Sequence, residues 1–199
     1  MSSLEQNLDL LRQDLVAEPM RIAAHSDMPF AIFRYSPEEE FQLRKRLRLL
    51  AYSLSENHGR KVAFLSISRL VWGIVRRFEG TDYLFKTESI RGFQAAEEHI
   101  NRLLSSEDYR PIADEVLERI KGFDHDRDIV FLVRAGGFAP FIYRCSSLLD
   151  GLHRRTKVPV ILFYPGSAEA GTDLKFFDLP SEANLGVYNY RVKIYGVDK

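Results

Sequence analysis

The amino-acid sequence predicts an α/β fold, with a mainly parallel open sheet and helices on both of its faces. Short apolar runs of strand composition alternate with stretches of helical periodicity through four cycles along the chain. This alternation is typical of parallel sheets, because two parallel strands are joined by a crossover that is usually a helix. The 199 residues show no internal repeat and no low-complexity tract, so we expect one domain spanning residues 1–199.

The first third of the chain predicts two helices and two strands. An N-terminal helix is predicted at about residues 3–17, where leucines recur at the helical period (Leu4, Leu8, Leu11 and Leu15). A strand is predicted at residues 30–35. The sequence S-P-E-E at residues 36–39 then combines an N-cap serine, a proline at the first helical position and a glutamate at the third. The helix that begins there is expected to end near Gly59, and a second strand follows at residues 62–67.

The remaining two thirds of the chain predict further helices and strands. Helices are predicted at residues 69–75, 90–104, 111–121 and 138–153, and the apolar run at residues 129–133 predicts a strand buried on both faces. A fourth strand is predicted at residues 160–164, where Pro165-Gly166 is expected to form a turn. Two short C-terminal strands are predicted at residues 174–177 and 190–195.

Composition argues against several classes of protein. The 28 Lys+Arg and 28 Asp+Glu residues cancel, which argues against direct nucleic-acid binding, and we interpret the basic run at residues 44–48 as a solvated helix face. A single cysteine excludes an internal disulfide and fits a reducing compartment. No secretory signal and no apolar run of the roughly 20 residues that span a membrane is evident. We therefore expect a cytoplasmic protein without membrane contact.

The motifs of common catalytic sites are missing. The sequence contains no G-x-x-x-x-G-K-[ST], no G-x-G-x-x-G and no G-x-S-x-G. The alternate aspartates of residues 124–128 begin like a calcium-binding loop but lack its later glycine and glutamate, so we predict a solvated loop. We interpret Cys145 as a packing residue of a helix. These observations predict a protein that is not an enzyme and that holds neither a cofactor nor a metal.

The carboxyl ends of the predicted strands carry residues suited to receive an anion. Ligands of open α/β sheets bind beyond these ends, where helix N-termini favour negative charge. The candidate anion-binding residues are Arg34, Ser66, Ser68, Arg69, Arg134, Gly136 and Gly137. The alternative that the same residues are only helix caps and turns stays open.

Two aromatic segments form a candidate partner interface. One opens the helix predicted at residues 138–153, and the other alternates tyrosines with basic residues near the C-terminus. Aromatic residues and arginine are enriched in protein interfaces. The candidate interface residues are Phe138, Phe141, Tyr143, Tyr188, Tyr190 and Arg191.

Several short motifs in the second half of the chain occur in the order and spacing of a known family. The most specific is V-P-V-I-L-F-Y-P-G at residues 158–166. Pro140-Phe141 and Leu148-Leu149 precede it, and L-K-F-F at residues 174–177 and N-Y-R at residues 189–191 follow it. On these residues the chain resembles the BrxB family, a small component of BREX bacteriophage-exclusion systems whose role is largely unknown.

The resemblance implies a defence component that acts with other BREX proteins, among them a PglZ-type phosphatase-like protein, a large ATPase and a DNA methyltransferase. Together with the missing catalytic motifs, it predicts a non-catalytic interaction subunit whose leading partner is the PglZ-type protein. Self-association into a homo-oligomer stays open. The alternative function is a nucleotide- or phosphate-binding regulatory α/β domain without a Walker motif.

Overall fold

The protein is built on a sheet of five parallel strands with one antiparallel strand at its end. The computed structural model describes residues 3–22, 28–139, 142–168, 174–178 and 192–196. The strands are β1 (Phe30–Tyr35), β2 (Lys61–Ser66), β3 (Asp128–Val133), β4 (Val160–Ala168), β5 (Leu174–Phe176) and β6 (Lys193–Tyr195). The parallel strands lie in the order β2-β3-β4-β1-β6, and β5 pairs antiparallel with the end of β4. The predicted α/β fold is confirmed.

Helices cover both faces of this sheet, as the sequence predicts. Leucines of the first two helices pack with one face, and the third, fifth, sixth and seventh helices share a hydrophobic core with the other. Among the described residues, no helix combines the length and the apolar character needed to cross a membrane. The helices are α1 (Ser3–Val16), α2 (Glu40–His58), α3 (Ile67–Phe78), α4 (Thr81–Arg91), α5 (Phe93–Ser105), α6 (Ile112–Arg119) and α7 (Cys145–Leu152).

A row of aromatic rings runs across all five parallel strands on the face that α1 and α2 cover. Phe131 of β3 lies at its centre, with ring centroids 5.5 Å from Phe64 on β2 and 5.0 Å from Phe163 on β4. Phe33 of β1 continues the row, 5.4 Å from Phe163 and 6.4 Å from Tyr195 on β6. The row arises because side chains alternate along each strand and the parallel register aligns residues of the same face.

The helix predicted at residues 138–153 begins later than expected. The chain first forms a short 3₁₀ helix at Ala135–Phe138, and α7 starts only at Cys145. Ala139 has extended backbone angles, with φ −71° and ψ 149°, as expected for a residue that precedes a proline. The proline at position 140 thus explains why the helix does not run back to residue 138.

One further expectation about the elements was wrong, and one helix was not predicted. Strand β4 does not end at Pro165-Gly166 but continues to Ala168, because the antiparallel β5 pairs with this extension and the Phe177 N–H donates to the Pro165 carbonyl at 3.0 Å. Helix α4 is not among the predicted helices. Leu84 is its one buried residue, so its apolar residues show no helical period that the sequence could reveal.

Candidate functional site

The carboxyl ends of four parallel strands meet at one edge of the sheet, where the connections leave toward opposite faces. From β1 the chain continues into α2 on one face, whereas β2 and β3 lead into α3 and the 3₁₀ helix on the other. Ligands of open α/β sheets bind at such a reversal. Two cavities of about 340 and 290 Å³ lie at this edge, and Arg44 and Arg134 line both of them.

Four arginines line the smaller cavity, which we call the arginine cavity. Arg44 and Arg48 lie one turn apart on α2 and therefore on the same face of the helix, Arg69 lies in the first turn of α3, and Arg134 follows β3. The Arg44 Nε donates to Glu40 Oε1 at 2.6 Å. The guanidinium groups of Arg48, Arg69 and Arg134 have no ion pair or hydrogen bond with any residue that the structure describes.

The serines and Gly137 predicted at this site shape the backbone at the start of α3 and at the 3₁₀ helix. Ser66 is the N-cap of α3, and its Oγ accepts a hydrogen bond from the Arg69 N–H at 3.4 Å. The Ser68 Oγ donates to the Arg134 carbonyl at 3.3 Å. A Cβ at Gly137 would lie 2.6 Å from the Ser68 Cα, so only glycine allows the first turn of α3 to lie against the 3₁₀ helix. These contacts place Arg69 and Arg134 at one cavity.

Gly136 and Arg34 occupy different positions at the strand ends. Gly136 lines the larger cavity, and a Cβ there would lie 3.1 Å from the Phe177 ring. Arg34 lines neither cavity described above, because its Nε donates to the Gly196 carbonyl at 2.6 Å, beyond the end of β6. Of the predicted anion-binding residues, Arg34 alone is directed to another part of the edge.

Arg134 adopts a left-handed backbone conformation, with φ 58° and ψ 47°. This region is unfavourable for a residue with a Cβ by roughly 1–2 kcal/mol, and glycine is the usual occupant. The conformation turns the chain sharply from β3 into the 3₁₀ helix. The unusual residue choice at this turn puts a positive charge where the arginine cavity and the larger cavity meet.

Two residues of the predicted partner interface, Phe138 and Tyr143, lie in the described part of the chain. Phe138 is fully buried in the core, and the half-buried Tyr143 packs against it with ring centroids 5.2 Å apart. Burial raises the pKa of Tyr143 above its ordinary value. Residues Phe141, Tyr188, Tyr190 and Arg191 lie outside the described part of the chain.

A different apolar surface, which the sequence did not reveal, lies on α4 and the start of α5. We call it the α4 surface and define it by four residues. Their exposed fractions are 46% for Tyr83, 59% for Phe85, 69% for Ile90 and 57% for Phe93. Exposed apolar side chains concentrated on one short segment are a feature of protein-binding sites.

Comparison with known families identifies the chain. The model of the family described as BREX protein BrxB matches residues 63–194, about two thirds of the chain. The chain belongs to the BrxB family. It is therefore a component of a BREX phage-defence system and is associated with other BREX proteins. Comparisons with curated proteins and with solved structures found no match.

The BrxB match covers most of the features described above. It includes the α4 surface, Arg69 and Arg134, and it begins within β2. Arg44 and Arg48 precede the matched residues, so α2 supplies half of the arginine cavity from outside the matched segment. The BrxB-family chain therefore carries two separate candidate sites, an arginine cavity at the sheet edge and an apolar surface on α4.

The single cysteine of this BrxB-family chain is buried. Cys145 is buried at the start of α7, and burial raises the pKa of its thiol to about 12. We expect the native thiol to react with iodoacetamide at pH 8 about a thousandfold more slowly than the thiol of the protein in guanidinium chloride, because little thiolate is present. Mass spectrometry of the alkylated protein measures both rates. Equal rates would contradict the buried position of Cys145.

The acidic loop that resembles a metal site is held by hydrogen bonds from its backbone N–H groups to its own aspartate side chains. Asp124, His125 and Asp126 bring potential ligand atoms within 4.8 Å of one another, and all three are exposed. The Asp126 N–H donates to Asp124 Oδ1 at 2.9 Å, and the Asp124 N–H donates to Asp128 Oδ2 at 2.8 Å. These bonds account for the aspartates as turn-forming residues in front of β3.

Proposed function

We propose that the chain is a non-catalytic interaction subunit of its BREX complex and that its α4 surface binds the PglZ-type protein. The observation that carries this proposal is the exposure of Tyr83, Phe85, Ile90 and Phe93 on a single helix and its continuation. A helix that is apolar on several sides is normally covered on several sides. Among the described residues, α4 buries Leu84 alone, and Tyr83 and Phe85 flank it as exposed apolar side chains that a partner can cover.

The packing of α4 supports the same role. The helix begins and ends at two glycines with positive φ, Gly80 and Gly92, and it packs mainly on α5. The exposed Tyr83 ring lies 5.1 Å from the ring of the mostly buried His99 on α5, which fixes the tyrosine on a rigid support. Rigid aromatic side chains with a buried base are the usual anchors of protein interfaces.

The chemistry of the sheet edge supports a binding role over a catalytic one. Glu40 is the one carboxylate among the described residues that line the two cavities. It accepts hydrogen bonds from the Tyr35 hydroxyl and from Arg44, so it is not a free general base. Burial and the contact with Glu40 raise the pKa of Tyr35, which keeps its hydroxyl protonated.

Co-purification tests the proposed partner. The tagged chain is expressed with the PglZ-type protein, the large ATPase and the methyltransferase of its own operon, one at a time. We expect co-elution with the PglZ-type protein and a loss of affinity of about 30-fold or more for the Phe85→Ser/Ile90→Ser variant, since truncated anchors typically weaken binding by at least 2 kcal/mol.

A matched control separates the α4 surface from exposed aromatic residues in general. Tyr52 on α2 is 68% exposed, and Tyr52→Ser removes a ring of similar exposure from another part of the protein. We expect this variant to co-elute normally. Retained co-elution of the Phe85→Ser/Ile90→Ser variant would exclude the α4 surface, and no co-elution of the unmodified chain with any of the three proteins would exclude the interaction role.

A further inference from the structure

We propose that the arginine cavity is a binding site for the phosphate groups of a nucleotide, with Phe64 as the surface on which its base stacks. The three arginines that lack a described partner, Arg48, Arg69 and Arg134, approach the cavity from α2, α3 and the end of β3. No carboxylate is among the described residues that line this cavity. Guanidinium groups arranged in this way bind phosphate oxygens through pairs of charge-assisted hydrogen bonds.

The surroundings of the arginines favour the same kind of ligand. The N-terminus of α3, with Ser66 as its cap, lies at the cavity and adds the positive end of a twelve-residue helix. Arg44 is held by Glu40 at the boundary with the larger cavity, which gives one cation of fixed position. The cavity therefore combines three cations without a partner among the described residues, one cation paired with Glu40 and a helix N-terminus.

The aromatic ring at the cavity indicates a nucleotide and not simple inorganic phosphate. Phe64 is 42% exposed and lines the same cavity as Arg48 and Arg69. Its ring makes an edge-to-face contact with the buried Phe131, at a centroid distance of 5.5 Å. A base that stacks on an exposed ring while its phosphates contact arginines is a common arrangement in nucleotide recognition.

The size and charge of the edge favour a small nucleotide over a nucleic-acid strand. The two adjoining cavities, about 290 and 340 Å³, together fall in the range of small-molecule sites. Glutamates at positions 38–40 follow Pro37, which lines the larger cavity, and their negative charge opposes the passage of a long phosphate backbone. The zero net charge of the chain acts in the same direction.

Binding is tested with four ligands: ATP without magnesium, inorganic triphosphate, adenosine and a single-stranded decathymidylate. We expect ATP at about 100 times its Kd to raise the melting temperature by about 5 to 10 °C, because a ligand of the folded state stabilises it by mass action. Triphosphate should bind more weakly than ATP, and adenosine should not bind. No shift with ATP, or calorimetric binding of decathymidylate tighter than that of ATP, would overturn the proposal.

Substitutions assign the binding to the arginine cavity. Arg69→Gln and Arg48→Gln should each abolish the ATP-dependent shift and raise the melting temperature of the unliganded protein by about 1 to 3 °C, since each removes repulsion among unpaired cations. Arg46→Gln is the matched control, because Arg46 lies on the same helix but pairs with Glu5. An unchanged ATP shift in Arg69→Gln, a loss of the shift in Arg46→Gln, or a lower unliganded melting temperature in both test variants would overturn the site.

The role of Phe64 is tested by comparing two ligands. Phe64→Ala should weaken ATP binding about tenfold, as expected for the loss of one stacked base, and leave triphosphate binding unchanged. Equal losses for ATP and triphosphate, or equal affinities of the unmodified protein for these two ligands, would overturn the assignment of a nucleotide.

Discussion

Phe131→Ala is expected to lower the free energy of unfolding by about 3 to 5 kcal/mol, because it removes a fully buried ring from the middle of the sheet. The Phe131 ring is in edge-to-face contact with Phe64 on one side and with Phe163 on the other. Alanine leaves a cavity between the sheet and the α1–α2 layer, and aromatic contacts of this kind add to the loss. Denaturation by urea, followed by circular dichroism, measures the effect.

Phe64→Ala provides the control for this loss. Phe64 belongs to the same aromatic row, but it lies on the edge strand β2 and is partly exposed. Its removal leaves no enclosed cavity, so we expect a loss of about 1 kcal/mol or less. Similar losses for Phe64→Ala and Phe131→Ala would show that the row does not stabilise the protein through the burial of its central ring.

The fold was predictable from the sequence because its central strands are built from short apolar runs. β1 and β3 are buried on both faces, and their apolar runs mark them almost to the residue. The helix start at Ser36 was also clear, since the Ser36 N–H donates to Glu39 Oε2 at 3.4 Å as the S-P-E-E pattern predicts. The first turn there is a 3₁₀ turn at Pro37–Glu39, and α2 follows it at Glu40. Local sequence patterns therefore identify the strands that are buried along most of their length.

The elements that the sequence does not reveal depend on tertiary contacts. Helix α4 carries apolar residues on sides that no described element covers, so its pattern does not match the period of a helix packed on one core. The continuation of β4 past Pro165-Gly166 depends on β5, which joins it in antiparallel register. In neither case does the local sequence indicate the observed structure, because Pro-Gly normally marks a turn and α4 lacks the apolar period of a packed helix.

The candidate anion site was half predictable. Arg69 and Arg134 follow strand ends, so the rule for ligand sites in α/β sheets identifies them. For Arg44 and Arg48 the sequence alone indicates a solvated face, because it does not show which side of α2 lies toward the sheet edge. Arg34 fails as a member of the site because it alternates with Tyr35 along β1 and bonds to Gly196 instead.

Gly137→Ala is expected to destabilise the protein by about 1 to 3 kcal/mol and to weaken the proposed nucleotide binding. A Cβ at this position would lie 2.6 Å from the Ser68 Cα and 2.8 Å from its backbone nitrogen. Backbone atoms cannot rotate away as a side chain can, so the first turn of α3 must move from the 3₁₀ helix. Since Arg69 lies in that turn and Arg134 precedes the 3₁₀ helix, their separation should increase.

The matched control for Gly137→Ala is Gly73→Ala in the middle of α3. A Cβ at Gly73 would meet no atom within 4 Å, and alanine favours the helix over glycine by about 0.5 to 1 kcal/mol. We expect Gly73→Ala to stabilise the protein and to retain the ATP-dependent shift in melting temperature. A Gly137→Ala variant as stable as the unmodified chain would contradict the close packing of α3 on the 3₁₀ helix. Normal ATP binding by a destabilised Gly137→Ala variant would show that this packing supports the fold without setting the spacing of the arginines.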